Sequence, residues 1–339
     1  LEERWLRRGV KIRPGVARQS QVPQGLQALE NPVGSAPGLV GRLAGRTLVL
    51  LPGVPAELEG LLPLVVDWLE AHDLLPPARP TLLWRTAQIA ELTLVKILQP
   101  VQDRFPGLIW SWWLTDWGVD VRLARENLES TGQQSLEVAG QMVDEILGHL
   151  VYARSMVNLP ETIQEMMVTR QATLAVAESC TAGLLGARFT DAAGSSEFFR
   201  GGILSYADEV KHQLLDVPME DLRKHGALSE QVVRAMAIGC RRRLNTDYAL
   251  AVSGISGPGG GTEEKPVGTT WVAVATPEGA YAGYYHFPGD RPRNRLLTVA
   301  AATDTLRRIL QFGDNEIPWY ATDTWCRSAQ RGSRPGTKA

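Results

Sequence analysis

The feature that most constrains this chain is a short apolar run, Ala172-Thr173-Leu174-Ala175-Val176-Ala177, that stops abruptly at Glu178-Ser179-Cys180-Thr181-Ala182-Gly183. Such a run is too short for a helix and reads as a buried strand, with a helix resuming over residues 184–190 after Gly183. The pattern then repeats. Residues 201–206 and 248–253 read as further strands, residues 268–275 and 281–286 as a closing pair, and residues 229–244 and 292–310 as helices between and after them. Strands alternating with helices imply a three-layer α/β domain over residues 156–312. A short amphipathic helix leads into it, with Pro160 at its first position and Ile163, Met166 and Met167 at helical spacing.

The rest of the chain divides at Leu75-Pro76-Pro77-Ala78-Arg79-Pro80, whose prolines mark a linker near residue 78. Before it lie a helical start, the turn-rich Asn31-Pro32-Val33-Gly34-Ser35-Ala36-Pro37-Gly38, a buried strand over residues 47–51 and a helix from Ala56, together a partial α/β domain over residues 1–78. After it, residues 79–155 form a small α+β module, with helices expected over 90–99 and 133–150 and an alternating strand over 119–123. Its Trp110, Trp112, Trp113 and Trp117 are read as packing residues rather than a stacking platform. Residues 313–339 are expected to be a disordered tail.

Composition narrows the function. A formal net charge of -2 supplies no global positive field, so nucleic acid is not an expected partner. Cys180, Cys240 and Cys326 show no paired spacing and no zinc pattern, which fits a reduced, cytoplasmic compartment. No run of 18 apolar residues is present, so no membrane span is expected. Leu1-Glu2-Glu3-Arg4-Trp5 resembles neither a signal peptide nor a methionine start and reads as the middle of a helix, so the beginning of the chain is expected to be missing.

Three segments carry residues suited to chemistry. Glu178 to Gly183 puts hydroxyls and small residues where a strand ends and a helix begins, so the backbone N–H groups there are expected to hold an oxyanion or phosphate. The competing reading makes Ser179 or Thr181 a helix cap and Cys180 a small buried hydrophobe. Ser205-Tyr206-Ala207-Asp208-Glu209-Val210-Lys211 sets Tyr206 and Lys211 around a turn, where a neutral amine or a phenolate can take a proton from a serine; a solvated lysine beside Asp208 and Glu209 is the alternative. Ser253 to Thr262 holds five glycines in ten residues, including Gly254, Gly257, Gly259 and Gly260. That stretch either rings a phosphate with N–H groups or is a plain flexible loop. Arg291 or Arg295 would supply a planar fork for a phosphate, or surface salt bridges. Ser229 is expected to cap the helix that ends in Arg241-Arg242-Arg243.

Together, A-E-S-C-T-A-G (177–183), A-G-S-S (193–196), S-Y-A-x-x-x-K (205–211), H-G-A-L-S (225–229), S-G-I-S-G-P-G-G-G (253–261), E-K-P-V-G-T (264–269) and G-D-R (289–291) resemble the C-terminal domain of the CinA (competence and damage-inducible) family. The resemblance implies a nicotinamide mononucleotide deamidase: Ser179 the nucleophile, Lys211 the base, and Tyr206 relaying or positioning the proton. It also implies a homo-oligomer in the cytoplasm, a small nucleotide substrate and no cofactor or metal for the amidase. Oxyanion and substrate contacts then fall to Cys180, Thr181, Gly183, Ser253, Gly254, Gly257, Gly259, Gly260 and Arg291. Ala182 stands where the family more usually has glycine. N-P-V-G-S-A-P-G (31–38) and L-P-G-V-P-A-E-L (51–58) resemble the family's other half, a molybdopterin-binding-like domain associated with ADP-ribose pyrophosphatase activity. That activity would require a divalent metal, and the family's T-G-G-L-G-P-T segment is absent. A catalytically inactive nucleotide-binding scaffold linked to competence or DNA damage is the alternative of a different class.

Overall fold

A computed structural model of the chain describes residues 21–77, 79–125, 131–313 and 326–331, with side chains described throughout except at 131–134 and 326–331. It divides into two compact units, Leu1–Ala78 and Arg79–Ala339.

In the first unit, β1 (Leu26–Leu29), β2 (Gly38–Leu43) and β3 (Arg46–Leu50) form an antiparallel meander followed by α1 (Pro55–Ala71). Leu61, Val65 and Trp68 of α1 pack on Leu29 and Val40. The strand expected to be buried is at the edge of the sheet among the described residues, paired with β2, and Leu50 is exposed. Asn31 organises the turn-rich stretch: its amide donates to Glu57 and its carbonyl accepts from the N–H groups of Val33 and Gly34. The expected helical start lies outside the described residues.

The second unit holds two sheets. The smaller, in the order β5-β6-β4-β7, comprises β4 (Thr81–Thr86), β5 (Leu108–Leu114), β6 (Val119–Arg125) and β7 (Val151–Ala153), with α2 (Glu91–Arg104) and α3 (Thr131–Leu147) completing an α+β fold around Trp84, Leu98, Val121 and Val143. Trp110 and Trp112 stack 5.8 Å apart on this sheet and Trp117 is buried, in keeping with packing roles, whereas Trp113 is exposed under the Arg122 guanidinium.

The larger sheet runs β13-β12-β11-β10-β8-β9. Its strands are β8 (Leu174–Glu178), β9 (Phe199–Leu204), β10 (Tyr248–Gly254), β11 (Thr269–Ala275), β12 (Ala280–His286) and β13 (Cys326–Arg331), with β9, β8 and β10 parallel and the rest antiparallel. β13 corrects the expectation of disorder for six residues of the tail: their backbone pairs with β12, which would otherwise present an open edge. On one face, Leu174, Val176, Leu250 and Val252 pack with α4 (Leu159–Thr169), α5 (Leu184–Phe189) and α9 (Arg291–Phe312). On the other, Ala175, Ala177, Ala249 and Ala251 pack with α6 (Asp208–Leu215), α7 (Met219–His225) and α8 (Glu230–Arg243). Each strand therefore sends alternate residues into different cores, which is the three-layer arrangement.

Local signals explain the element ends. Asn158 and Glu161 form a capping box before α4, and the Asp290 side chain caps α9 by accepting from the Arg293 N–H. Ser229 stands at the N-cap of α8 but does not cap it; its hydroxyl turns back to the Gly226 carbonyl at 2.9 Å. Gly239 lets α8 meet α6, since a β-carbon there would lie 1.9 Å from the Leu215 carbonyl oxygen. No helix among the described residues is long and apolar enough to cross a membrane.

Candidate active site

The parallel strands deliver their C-terminal ends to one edge. Glu178 pairs with Leu204 of β9 and with Val252 of β10, and the ladder runs one residue further: the Ser205 N–H donates to Glu178 O at 2.8 Å and the Ser179 N–H to Val252 O at 3.1 Å. From β8 the chain goes to β9 on one side, and from β10 to β11 on the other. Ser179 thus stands where two adjacent strands lead apart, the place where open α/β sheets form a crevice.

Glu178 shapes the loop that carries Ser179. Its carboxylate is 1% exposed and accepts from Thr181 Oγ1 at 2.6 Å and from the N–H groups of Gly183 at 2.9 Å, Leu185 at 3.1 Å and Gly186 at 2.8 Å. Neither Ser179 nor Thr181 caps α5; Glu178 does. The expectation that Gly183 offers its N–H to a substrate is corrected by the same contacts, because an internal carboxylate already occupies the donors of the helix start. The N–H groups of Cys180 and Thr181 make no backbone hydrogen bond among the described residues and lie against the Cys180 sulfur, a weak acceptor. The Thr181 hydroxyl belongs to Glu178, and its carbonyl accepts from Arg295 Nη2 at 2.6 Å.

The Ser179 hydroxyl is half-buried and has no hydrogen-bond partner among the described residues. Burial pushes the neighbouring Cys180 thiol up to about 12, which disfavours the thiolate form a cysteine nucleophile needs. It fills the space beside Gly254, where a β-carbon would lie 2.7 Å from Thr270 Oγ1 and 3.1 Å from Cys180 Sγ. Gly254 thereby has a packing role.

Lys211 is 1% exposed, not solvated, and its Nζ donates to the Tyr206 carbonyl oxygen at 2.9 Å and to Asp208 at 3.4 Å. The Tyr206 side chain is 63% exposed. The structure thus brings Tyr206 and Lys211 together through the tyrosine's backbone rather than its phenol, and places no hydrogen bond between either side chain and Ser179.

The glycine segment follows β10. Gly257 and Gly260 have φ of +91° and +85°, and the N–H groups of Gly257, Gly259 and Gly260 make no backbone hydrogen bond among the described residues. Only Gly259 and Gly260 are adjacent, since Pro258 has no N–H, and such neighbouring N–H groups on glycine backbone suit an anion. Arg291 braces this loop through Gly257 O at 2.9 Å, and Asn294 donates to Ser256 O at 3.2 Å. Lys265 pins its far end, donating to His225 O at 3.0 Å and Leu228 O at 2.9 Å. Ser253 Oγ donates to Ala227 O at 2.9 Å, so this hydroxyl is committed to the segment leading into α8.

Sequence reasoning passed over Glu178, Lys265 and Ser205. An acid three residues before a hydroxyl and five before a glycine, at a strand end, is the one signal that could have marked Glu178. Ser205 is fully buried, and its hydroxyl has no partner among the described residues. A cavity of about 250 Å³ between α9 and the β5–β6 turn, lined by Ile89, Trp117, Phe287 and Leu297, includes none of these residues. Among the described residues, no group of three or more His, Cys, Asp and Glu side chains is placed to hold a metal ion.

Comparison with known proteins gives a consistent set of similarities. The profile of the family described as CinA C-terminal domain matches residues 156–310. A CinA-like protein of Gemmatimonas aurantiaca is 40% identical over 94% of this chain and 76% of its own length. A CinA-like protein of Parasynechococcus marenigrum is 39% identical over 89% of this chain and 73% of its own length. The crystal structure of competence/damage inducible protein CihA from Agrobacterium tumefaciens is 34% identical, with a TM-score of 0.44 over 45% of this chain and 94% of that one.

Proposed function

We propose that this chain, which belongs to the family of CinA-like proteins, hydrolyses the carboxamide of nicotinamide mononucleotide through an acyl-enzyme on Ser179. The observation that supports the reading is a serine hydroxyl without a partner among the described residues, at the crevice where parallel strands β8 and β10 lead apart, beside N–H groups of Cys180 and Thr181 that make no backbone hydrogen bond. A serine is a weak nucleophile until a base takes its proton, and Lys211, held in the same end of the sheet, is the available amine.

Ser179 Oγ attacks the carboxamide carbon, and the developing oxyanion is met by the Cys180 and Thr181 N–H groups, donors of a kind worth about 3–4 kcal/mol in such a transition state. The C–N bond breaks, the nitrogen leaves as ammonia, and water releases nicotinic acid mononucleotide and the free serine. The phosphate of the substrate goes to the free N–H groups after Ser256, which Arg291 and Asn294 hold in place. Glu178 keeps the nucleophile loop in shape, and Lys265 keeps the glycine segment against the loop before α8.

The test is chromatographic conversion of nicotinamide mononucleotide by the full chain in the presence of a chelator. Conversion lost in Ser179→Ala and reduced about 10²–10⁴-fold in Lys211→Met agrees with a serine amidase using a general base. Conversion that survives Ser179→Ala, or that requires a metal, overturns it.

A further inference from the structure

We propose that Ser205, not the Tyr206 phenol, carries the proton between Ser179 and Lys211, making the site a serine–serine–lysine relay. The inference rests on Ser179 being the nucleophile, and it is carried by the register of the sheet. Because Glu178 pairs with Leu204 and with Val252, and the Ser205 and Ser179 N–H groups bond to Glu178 O and Val252 O, residues 205 and 179 lie one step past the ends of β9 and β8, level with residue 253 of β10. Neighbouring strands lie about 4.8 Å apart, close enough for adjacent serine hydroxyls to hydrogen-bond.

Alternation puts the three on one face. Ala175 and Ala177 of β8, Ile203 of β9, and Ala249 and Ala251 of β10 all pack on the α6–α8 side, and one more step of two brings residues 179, 205 and 253 there. Ser253 fits, since its hydroxyl reaches Ala227 just before α8. Lys211 lies one helical turn before Leu215, which packs in that same layer, so its side chain shares the face. Its Nζ, 2.9 Å from the Tyr206 carbonyl, sits within one residue of Ser205 along the chain.

The Ser205 hydroxyl is completely buried and has no hydrogen-bond partner among the described residues. Buried unpartnered hydroxyls are uncommon and cost stability, so their presence needs a reason. A relay gives one: Ser205 is the group that bonds Ser179 on one side and the Lys211 amine on the other once substrate is bound. Tyr206, 63% exposed, is poorly placed for that task.

The step balances without another reagent. As Ser179 Oγ bonds to the carboxamide carbon, its proton passes to Ser205 Oγ and the Ser205 proton passes to the lone pair of Lys211 Nζ, while the carbonyl π pair moves to oxygen. When the C–N bond breaks, the lysine proton returns through Ser205 to the departing nitrogen, giving ammonia. Water repeats the sequence on the acyl-enzyme and restores both serines.

The experiment uses the full chain and two readouts. Phosphonylation of Ser179 by a fluorophosphonate, followed by intact mass, reports nucleophile activation without reference to the natural substrate; the solvent-isotope proton inventory of nicotinamide mononucleotide turnover reports protons in flight. Ser205→Ala is expected to slow labelling about 100-fold or more, to turn a curved proton inventory linear, and to leave Tm unchanged or raised, because an unsatisfied hydroxyl is removed. Tyr206→Phe is expected to label within about threefold of the unmodified chain, a change far below that of losing a general base. Labelling of Ser205→Ala at the unmodified rate, or no labelling of the unmodified chain, overturns the relay. Rapid Ser205-dependent labelling in a chain that leaves nicotinamide mononucleotide untouched supports the relay and removes only the substrate assignment.

Discussion

Replacing Glu178 by glutamine tests whether one buried carboxylate builds the nucleophile loop. Oε2 accepts three hydrogen bonds, from Thr181 Oγ1 and the N–H groups of Gly183 and Leu185, and Oε1 accepts one from Gly186. Glutamine keeps most if its oxygen replaces Oε2, which sets its NH₂ against the Gly186 N–H, donor facing donor. The stranded buried donor costs about 1–3 kcal/mol, and the three surviving bonds each lose a charge-assisted share of roughly 0.5 kcal/mol. The sum, about 2.5–4.5 kcal/mol, corresponds to a fall in Tm of roughly 5–18 °C at about 2–4 °C per kcal/mol for a domain of this size. Differential scanning calorimetry of the full chain measures it, with Glu178→Ala expected to fall further because all four donors are stranded. A Glu178→Gln shift below about 2 °C would refute the reasoning, since it would mean that solvent or a rearranged loop satisfies those donors at little cost.

Two other perturbations follow from the same geometry. Gly254→Ala is expected to destabilise by about 1–3 kcal/mol, because the new methyl meets Thr270 Oγ1 and Cys180 Sγ, and to lower kcat by moving the segment after Ser179; urea denaturation and steady-state kinetics check both. Asp304 lies fully buried between Arg307 at 2.6 Å and Arg308 at 2.7 Å. Burial by itself would raise its carboxyl, but the two guanidiniums outweigh burial and hold it below the usual carboxylate value. A depressed folded-state value means stability fully present above the unfolded carboxylate value and lost as pH falls through the folded one. Acid unfolding followed by circular dichroism should therefore show this loss below about pH 4, and Asp304→Asn should remove that part of the pH dependence while costing about 3–5 kcal/mol at neutral pH.

The large α/β domain was legible because its strands are short apolar runs closed by glycine and hydroxyl residues: residues 172–177, 248–253 and 268–275 lie within two residues of β8, β10 and β11. The long helix read over 292–310 is α9, with Asp290 as the cap. β1 and β2 were not legible, because Leu26-Gln27-Ala28-Leu29 and Gly38 to Leu43 carry neither an apolar run nor a sustained alternation, so the turn-rich stretch between them read as a loop without flanking strands. β5 was hidden by its tryptophans, which read as packing without revealing that they alternate across a strand. β13 escaped because a strand that completes an edge needs only backbone, which composition does not mark.

The site divides the same way. Residue types pointed to Ser179, Tyr206, Lys211 and the glycine segment, since each chemistry restricts which side chains can serve. What they could not disclose was pairing. That Glu178 takes the helix-start donors from Gly183, that Lys211 turns to the Tyr206 carbonyl, and that Ser205 stands level with Ser179 all depend on strand register and loop closure, which no local pattern encodes.

The central claim is a covalent acyl intermediate on Ser179, and partitioning with hydroxylamine tests it most directly. An acyl-enzyme formed from nicotinamide mononucleotide divides between water, giving the acid, and hydroxylamine, giving the hydroxamate, while ammonia is released in both cases. The account predicts a hydroxamate fraction that rises with hydroxylamine concentration, unaffected by chelator and absent from Ser179→Ala. Ammonia release with acid as the sole product at high hydroxylamine, or hydroxamate formation that persists in Ser179→Ala, would contradict it.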